Sequence, residues 1–70
     1  VNSAVYDAAL RAGLSSRDAQ IFAVYVESDK IAAAAKKLGV AESTVKNALS
    51  RVYIRLEAPH AAGALVKLLT

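Results

Sequence analysis

Four consecutive alanines at positions 32–35 run into Lys36-Lys37-Leu38 and stop at Gly39, a run that leaves the chain few conformations. Alanine is the best helix former, so residues 30–38 (KIAAAAKKL) are predicted to be helical. Glycine enters left-handed backbone without a Cβ clash, so Gly39 is expected to end that helix in a tight turn. A second helix is predicted over residues 42–57 (ESTVKNALSRVYIRLE). There Val45, Ala48, Leu49, Val52 and Leu56 recur at spacings of three and four and form one inward stripe. Thr44, Lys46, Asn47, Ser50, Arg51 and Arg55 fall on the outward side. A helix-turn-helix crosses two such helices steeply over a short turn. It needs a small residue at the crossing, here Ala35, and a residue tolerant of positive φ four positions later, here Gly39. Leu38, Val40, Val45 and Leu49 supply apolar contacts on both sides of that turn. All these conditions hold in register, which a plain helical hairpin would not require.

The rest of the chain reads as further short helices. Residues 3–12 are predicted to be helical, with Ser3 as N-cap and Gly13 as a left-handed stop. Residues 16–27 form the next helix. Ser15 caps it, Asp18 completes a capping box, and Leu14 supplies the outer half of a hydrophobic staple. Its apolar face is wide: Ile21, Phe22, Val24, Tyr25 and Val26. Ser28 or Asp29 is expected to cap the alanine helix. Pro59 cannot continue the 42–57 helix and begins a last one at about 60–69, with Leu65, Val66, Leu68 and Leu69 as its apolar residues. The expected fold class is all-α, a small four- to five-helix bundle containing a helix-turn-helix. Residues 1–13 are expected to be an N-terminal helix or linker, and residues 14–70 the domain.

Charge distribution narrows the function. The net charge of +3 conceals a strong asymmetry. Residues 30–56 hold six cations (Lys30, Lys36, Lys37, Lys46, Arg51, Arg55) against Glu42, a balance of +5. Residues 1–29 hold Arg11 and Arg17 against Asp7, Asp18, Glu27 and Asp29, a balance of −2. A concentrated positive segment suits a polyanionic partner. With no Cys and one His, a disulfide framework, a thiolate metal site and a Cys–His nucleophile are excluded. Asp7, Asp18 and Asp29 lie on separate segments and form no carboxylate pair; Ser15-Ser16 and Ser43-Thr44 read as caps. His60 reads as an exposed helix-start residue. No catalytic residue, metal or cofactor is expected. No apolar run approaches the roughly 18–20 residues that cross a bilayer, and the start lacks a basic region and an apolar core, so a cytoplasmic chain without a membrane partner is expected. Tyr6, Tyr25 and Tyr53 read as core or rim residues. Ile54 falls on the polar side of the 42–57 helix, and an N-terminal helix folded back or a second subunit is expected to cover it.

These residues resemble a known family. Leu14-Ser15-x-Arg17-Asp18-x-x-Ile21-Phe22 is similar to the L-T-x-R-E-x-x-V-L opening of LuxR/GerE-type DNA-binding domains. Ala34-Ala35-Lys36-Lys37-Leu38-Gly39-Val40 resembles their I-A-x-x-L-x-(I/V) scaffold helix and turn. Thr44-Val45-Lys46 with Val52 and Arg55-Leu56 resembles their T-V-K…I-x-x-K-L recognition helix, and Ala61-x-x-Ala64-Leu65-Val66 their fourth helix. The resemblance covers about residues 14–69. Three departures stand out. Ala41 replaces the polar cap, at a cost of about 1 kcal/mol, Ala48 stands where the family often has His, and Ala33 replaces an acid. A second resemblance, through Leu38-Gly39-Val40…Thr44-Val45-Lys46-x-x-Leu49-Ser50-Arg51…Arg55-Leu56, is to region 4 of extracytoplasmic-function sigma factors. The helix after Pro59 favours the first.

Both resemblances imply sequence-specific binding of double-stranded DNA in transcription, with the 42–57 helix in the major groove. Ser43, Thr44, Lys46, Asn47, Ser50, Arg51 and Arg55 are then the DNA-facing residues. Asn47 can read adenine, and Arg51 or Lys46 can read guanine; Lys46 equally suits a phosphate, and Arg55 a backbone contact. The LuxR/GerE resemblance further implies a homodimer on DNA, joined through Leu65, Leu68 and Leu69, with RNA polymerase or another regulator as a further partner. The alternative is a helical protein-interaction adaptor that does not bind DNA. Regulation by phosphorylation or by an autoinducer does not carry over.

Overall fold

The computed structural model describes residues 3–69, the last by its backbone only, and places them in five helices. These are α1 (Ser3–Arg11), α2 (Ser16–Ser28), α3 (Ile31–Leu38), α4 (Glu42–Leu56) and α5 (Ala61–Leu69). No strand occurs among the described residues. The all-α bundle expected from the periodicity is therefore the fold.

The helix ends obey one rule. After each of the first four helices a residue turns left-handed, and backbone N–H groups bond back onto the last carbonyls. Beyond α3, Gly39 (φ 68) does this: its N–H donates to Lys36, and the Val40 N–H donates to the Ala35 carbonyl at 3.1 Å. Gly13 serves α1 in the same way, the Leu14 N–H reaching the Ala9 carbonyl. Asp29 (φ 62) and Glu57 (φ 54) adopt this geometry although they carry side chains. Several expected boundaries are corrected as a result. Asp29 closes α2 and does not cap α3, Ser28 is the last residue of α2, and Lys30 occupies the N-cap of α3 without a side-chain bond. Glu57 lies just beyond α4. Ser3 stands inside α1, not ahead of it.

Alanines set how closely the helices approach. Ala9 on α1, Ala19 and Ala23 on α2, Ala34 on α3, Ala48 on α4 and Ala64 on α5 are all fully buried. Phe22, Ile21, Val45 and Val52 are the largest fully buried side chains, and Val5, Leu14, Val24 and Leu49 are buried beside them. Helix α2 is the hub, packed against α1, α3 and α4, while α5 closes over α1 and α4. The crossing of α3 rests on Ala34 as well as Ala35, both buried. Val5 and Ala9 belong to the same core as Phe22 and Val52, so residues 3–11 are an integral helix and not a linker. Among the described side chains of α5, Ala64 is buried, and Leu65 and Leu68 pack half-buried against the core. His60 caps this helix, its Nδ1 accepting the Gly63 N–H at 3.1 Å.

Two outcomes follow from this packing. Apart from its chain neighbours, no atom lies within 4 Å of where a Cβ on Gly39 would stand, so Gly39→Ala meets backbone strain alone. It should destabilise the fold by about 1–2 kcal/mol in urea titration, with Gly39→Asn costing less because Asn tolerates this conformation. Equal losses for both would mean the site is limited by space. Separately, burial and then the neighbouring Tyr25 push the Tyr53 phenol above its ordinary value of 10.0. The neutral phenol is thus favoured in the fold. The stability it confers is full below pH 10 and drains away as pH rises through the folded-state value. Tyr53→Phe cannot ionise, so its unfolding midpoint should fall less steeply above pH 10 than that of the parent; parallel curves would contradict this.

Candidate nucleic-acid interface

Helix α4 has two faces of opposite character. Val45, Ala48, Leu49 and Val52 are buried, and Ser43, Thr44, Lys46, Asn47, Ser50, Arg51 and Arg55 are all exposed. At 3.6 residues per turn, Ser43, Asn47, Ser50 and Ile54 make the outermost line, opposite the buried stripe. Lys46 lies on one flank of that line, and Thr44, Arg51 and Arg55 lie on the other. The seven polar residues singled out in the sequence therefore share one continuous helix surface.

The start of α4 is less well built. Ala41 has the extended backbone of an N-cap (φ −72, ψ 153) but no side-chain acceptor for the free N–H groups. Glu42 places a carboxylate in the first turn, where it favours the helix dipole. Exposed and already in N-cap geometry, position 41 should accept serine without rearrangement. Ala41→Ser is expected to raise stability by about 1 kcal/mol in thermal unfolding; no gain would show that the first turn is already satisfied.

The flank carrying Arg51 is tied to α2. The Arg51 Nε donates to Asp18 Oδ2 at 3.1 Å, and its Nη2 donates to Oδ1 at 2.9 Å. The Asp18 side chain is 12% exposed and that of Arg51 is 58% exposed, so the pair spans from core to surface. Hydrogen bonding to Asp18, followed by its charge, raises the pKa of the guanidinium above its ordinary value. This alters two readings. The Asp18 backbone N–H does donate to the Ser15 cap at 3.1 Å. Its carboxylate, however, engages Arg51 and not the Ser15 backbone, so the capping box is only half made. Arg51 in turn has one edge of its fork committed to Asp18, and the other edge is free on an exposed side chain. One turn further on, the Arg55 guanidinium lies across Gly13, where an added Cβ would overlap it.

The scaffold helix contributes less. Lys37 reaches Glu27 at 3.8 Å, a surface pair between half-exposed side chains, while Lys30 and Lys36 are exposed. A shallow apolar cavity of about 210 Å³ separates the end of α2 from the start of α5, lined by Tyr25, Val26, Asp29, Ala61, Ala62 and Leu65. Ile54 is 78% exposed. Helix α1 packs on α2 and α5 and does not cover it, so of the two covers expected, a folded-back N-terminal helix or a second subunit, the first is not the one found. Of the residues expected at a dimer contact, Leu65 and Leu68 are half consumed by the core, and the Leu69 side chain lies outside the described residues. Val66, at 61% exposed, is a large outward apolar residue among the described side chains of α5. Among the described residues no helix is long and apolar enough to cross a membrane, and no three side chains of the metal-ligating kind come together.

Sequence reasoning missed the Asp18–Arg51 pair because the partners lie 33 positions apart and Asp18 had a sufficient local role as a cap residue. Opposite charge on the two helices was the one available signal. No protein-family model, curated protein or solved structure matches the chain.

Proposed function

We propose that this chain is a sequence-specific double-stranded DNA-binding module of a transcription regulator, with α4 entering the major groove N-terminus first. One observation carries the reading: α4 sets a continuous exposed face of Ser43, Thr44, Lys46, Asn47, Ser50, Arg51 and Arg55 against a fully packed opposite face. The +5 balance of residues 30–56, offset at Lys37 by Glu27 and at Arg51 by Asp18, supports this reading as its electrostatic footprint. In this assignment Asn47, on the outermost line, reads a base edge, and Lys46 on the flank meets a phosphate. One recognition helix reads only a few base pairs, so two copies on half-sites one helical turn apart make the stable complex. Val66, with the half-exposed Leu65 and Leu68, is the surface of α5 offered to the second copy. A promoter-binding module of the sigma region 4 kind would use the same face in the same way.

The exposed Ile54 favours a second reading, a protein-interaction adaptor, because an uncovered isoleucine suits a protein partner better than water. Salt dependence separates the two. Binding to duplexes selected from a random pool should weaken steeply between two salt concentrations. Lys46→Ala should weaken binding to all sequences and flatten the salt slope by about one unit. Asn47→Ala should lower preference for the selected site more than it lowers nonspecific binding. Binding indifferent to salt, or none at low salt, would overturn the DNA reading.

A further inference from the structure

Arg51 is held in a way that assigns it a narrower task than a free arginine has. Its guanidinium carries five N–H groups. Two of them, on Nε and Nη2, are used on Asp18. The remaining three, both on Nη1 and the second on Nη2, make a free edge on a side chain that is 58% exposed. A ligand on the free edge leaves the Asp18 pair intact, whereas releasing the whole fork would strand a carboxylate that is 12% exposed, which is unfavourable. The direction of the tether matters as much. Arg51 sits on the flank of α4, drawn toward the start of α2 and away from the outermost line of Ser43, Asn47 and Ser50. In a groove-bound helix, that outermost line meets the groove floor and the flanks meet the phosphate walls. Arg55, one turn on along the same flank, lies against Gly13 at the end of α1. Both guanidinium groups therefore line the seam between α4 and the α1–α2 turn.

We propose that Asp18 is a positioning residue: it holds Arg51 so that the free edge of the guanidinium clamps a DNA backbone phosphate, with Arg55 beside it, and takes Arg51 out of base reading. The assignment rests on the DNA-binding reading above and deepens it. A held guanidinium loses little freedom when the phosphate arrives, so the contact forms at low entropic cost. Removing Asp18 also supplies a test by sign. Loss of a negative charge beside the interface should by Coulomb attraction alone tighten DNA binding, whereas loss of positioning should weaken it.

The experiment uses the full chain and a duplex selected from a random pool, at a temperature where circular dichroism shows each variant folded. Asp18→Asn and Arg51→Gln should each weaken binding roughly 3- to 10-fold. Arg51→Gln should flatten the salt slope by about one unit, and the double variant should be no weaker than Arg51→Gln alone. The glutamine amide can still donate to Asp18, so this variant keeps a buried partner in place even if Asp18→Asn proves unstable. A scan replacing single phosphates with neutral methylphosphonates should find a position that weakens the parent but not Arg51→Gln, while base preferences stay the same in both. Tighter or unchanged binding by Asp18→Asn, an unchanged salt slope in Arg51→Gln, or loss of preference at one guanine in Arg51→Gln would overturn the proposal. Failure of the parent chain to bind any duplex would instead remove the DNA reading itself.

Discussion

Everything in this fold depends on helices approaching closely through alanine. A 70-residue chain without cysteine has neither a large core nor a covalent staple to hold its elements together. Fully buried alanines on all five helices let the backbones close in around Phe22, Ile21, Val45 and Val52, the largest fully buried side chains. Dispersion contacts between well-packed atoms are individually small and add up only at such distances. The same closeness fixes the rotation of α4 about its axis. Ala48 and Val45 can be fully buried only if Ser43, Asn47 and Ser50 face outward, so the candidate interface is set by the core behind it.

Electrostatics then divides the outward face. The line farthest from the core carries small polar side chains and an exposed isoleucine, while the cations stand on its flanks. On one flank Arg51 is bonded to Asp18, and the Arg55 guanidinium lies over Gly13. On the other, Lys46 is exposed. A face built this way keeps its charges at the rim and its hydrogen-bonding groups at the crest. On the proposed DNA-binding reading, that arrangement separates positioning contacts from reading contacts.

Much of the secondary structure was legible in local pattern. The alanine run, the three-and-four spacing of Val45, Ala48, Leu49 and Val52, and Gly13 and Gly39 each carry their meaning within a few residues. Helix ends without glycine were not legible. Asp29 and Glu57 take left-handed backbone because the closing hydrogen bonds and the packing of the following residue, Ala58 after Glu57, offset the strain. No composition rule marks such positions. The capping of α5 by His60 was hidden for a similar reason, since a ring nitrogen at hydrogen-bonding distance is a matter of side-chain placement.

Sequence alone determined an all-α chain of four to five helices, where their apolar stripes run, and which face of α4 is polar, because helical periodicity is a rotation of fixed size per residue. It also determined where the positive charge is concentrated. Tertiary structure alone decided that Asp18 meets Arg51, that Arg55 rests on Gly13, that Ala34 shares the crossing with Ala35, and that α1 leaves Ile54 in the open. Those outcomes depend on the angle and depth at which α2, α3 and α4 cross. Crossing geometry is set by the packing of many side chains together, and no local repeat encodes it.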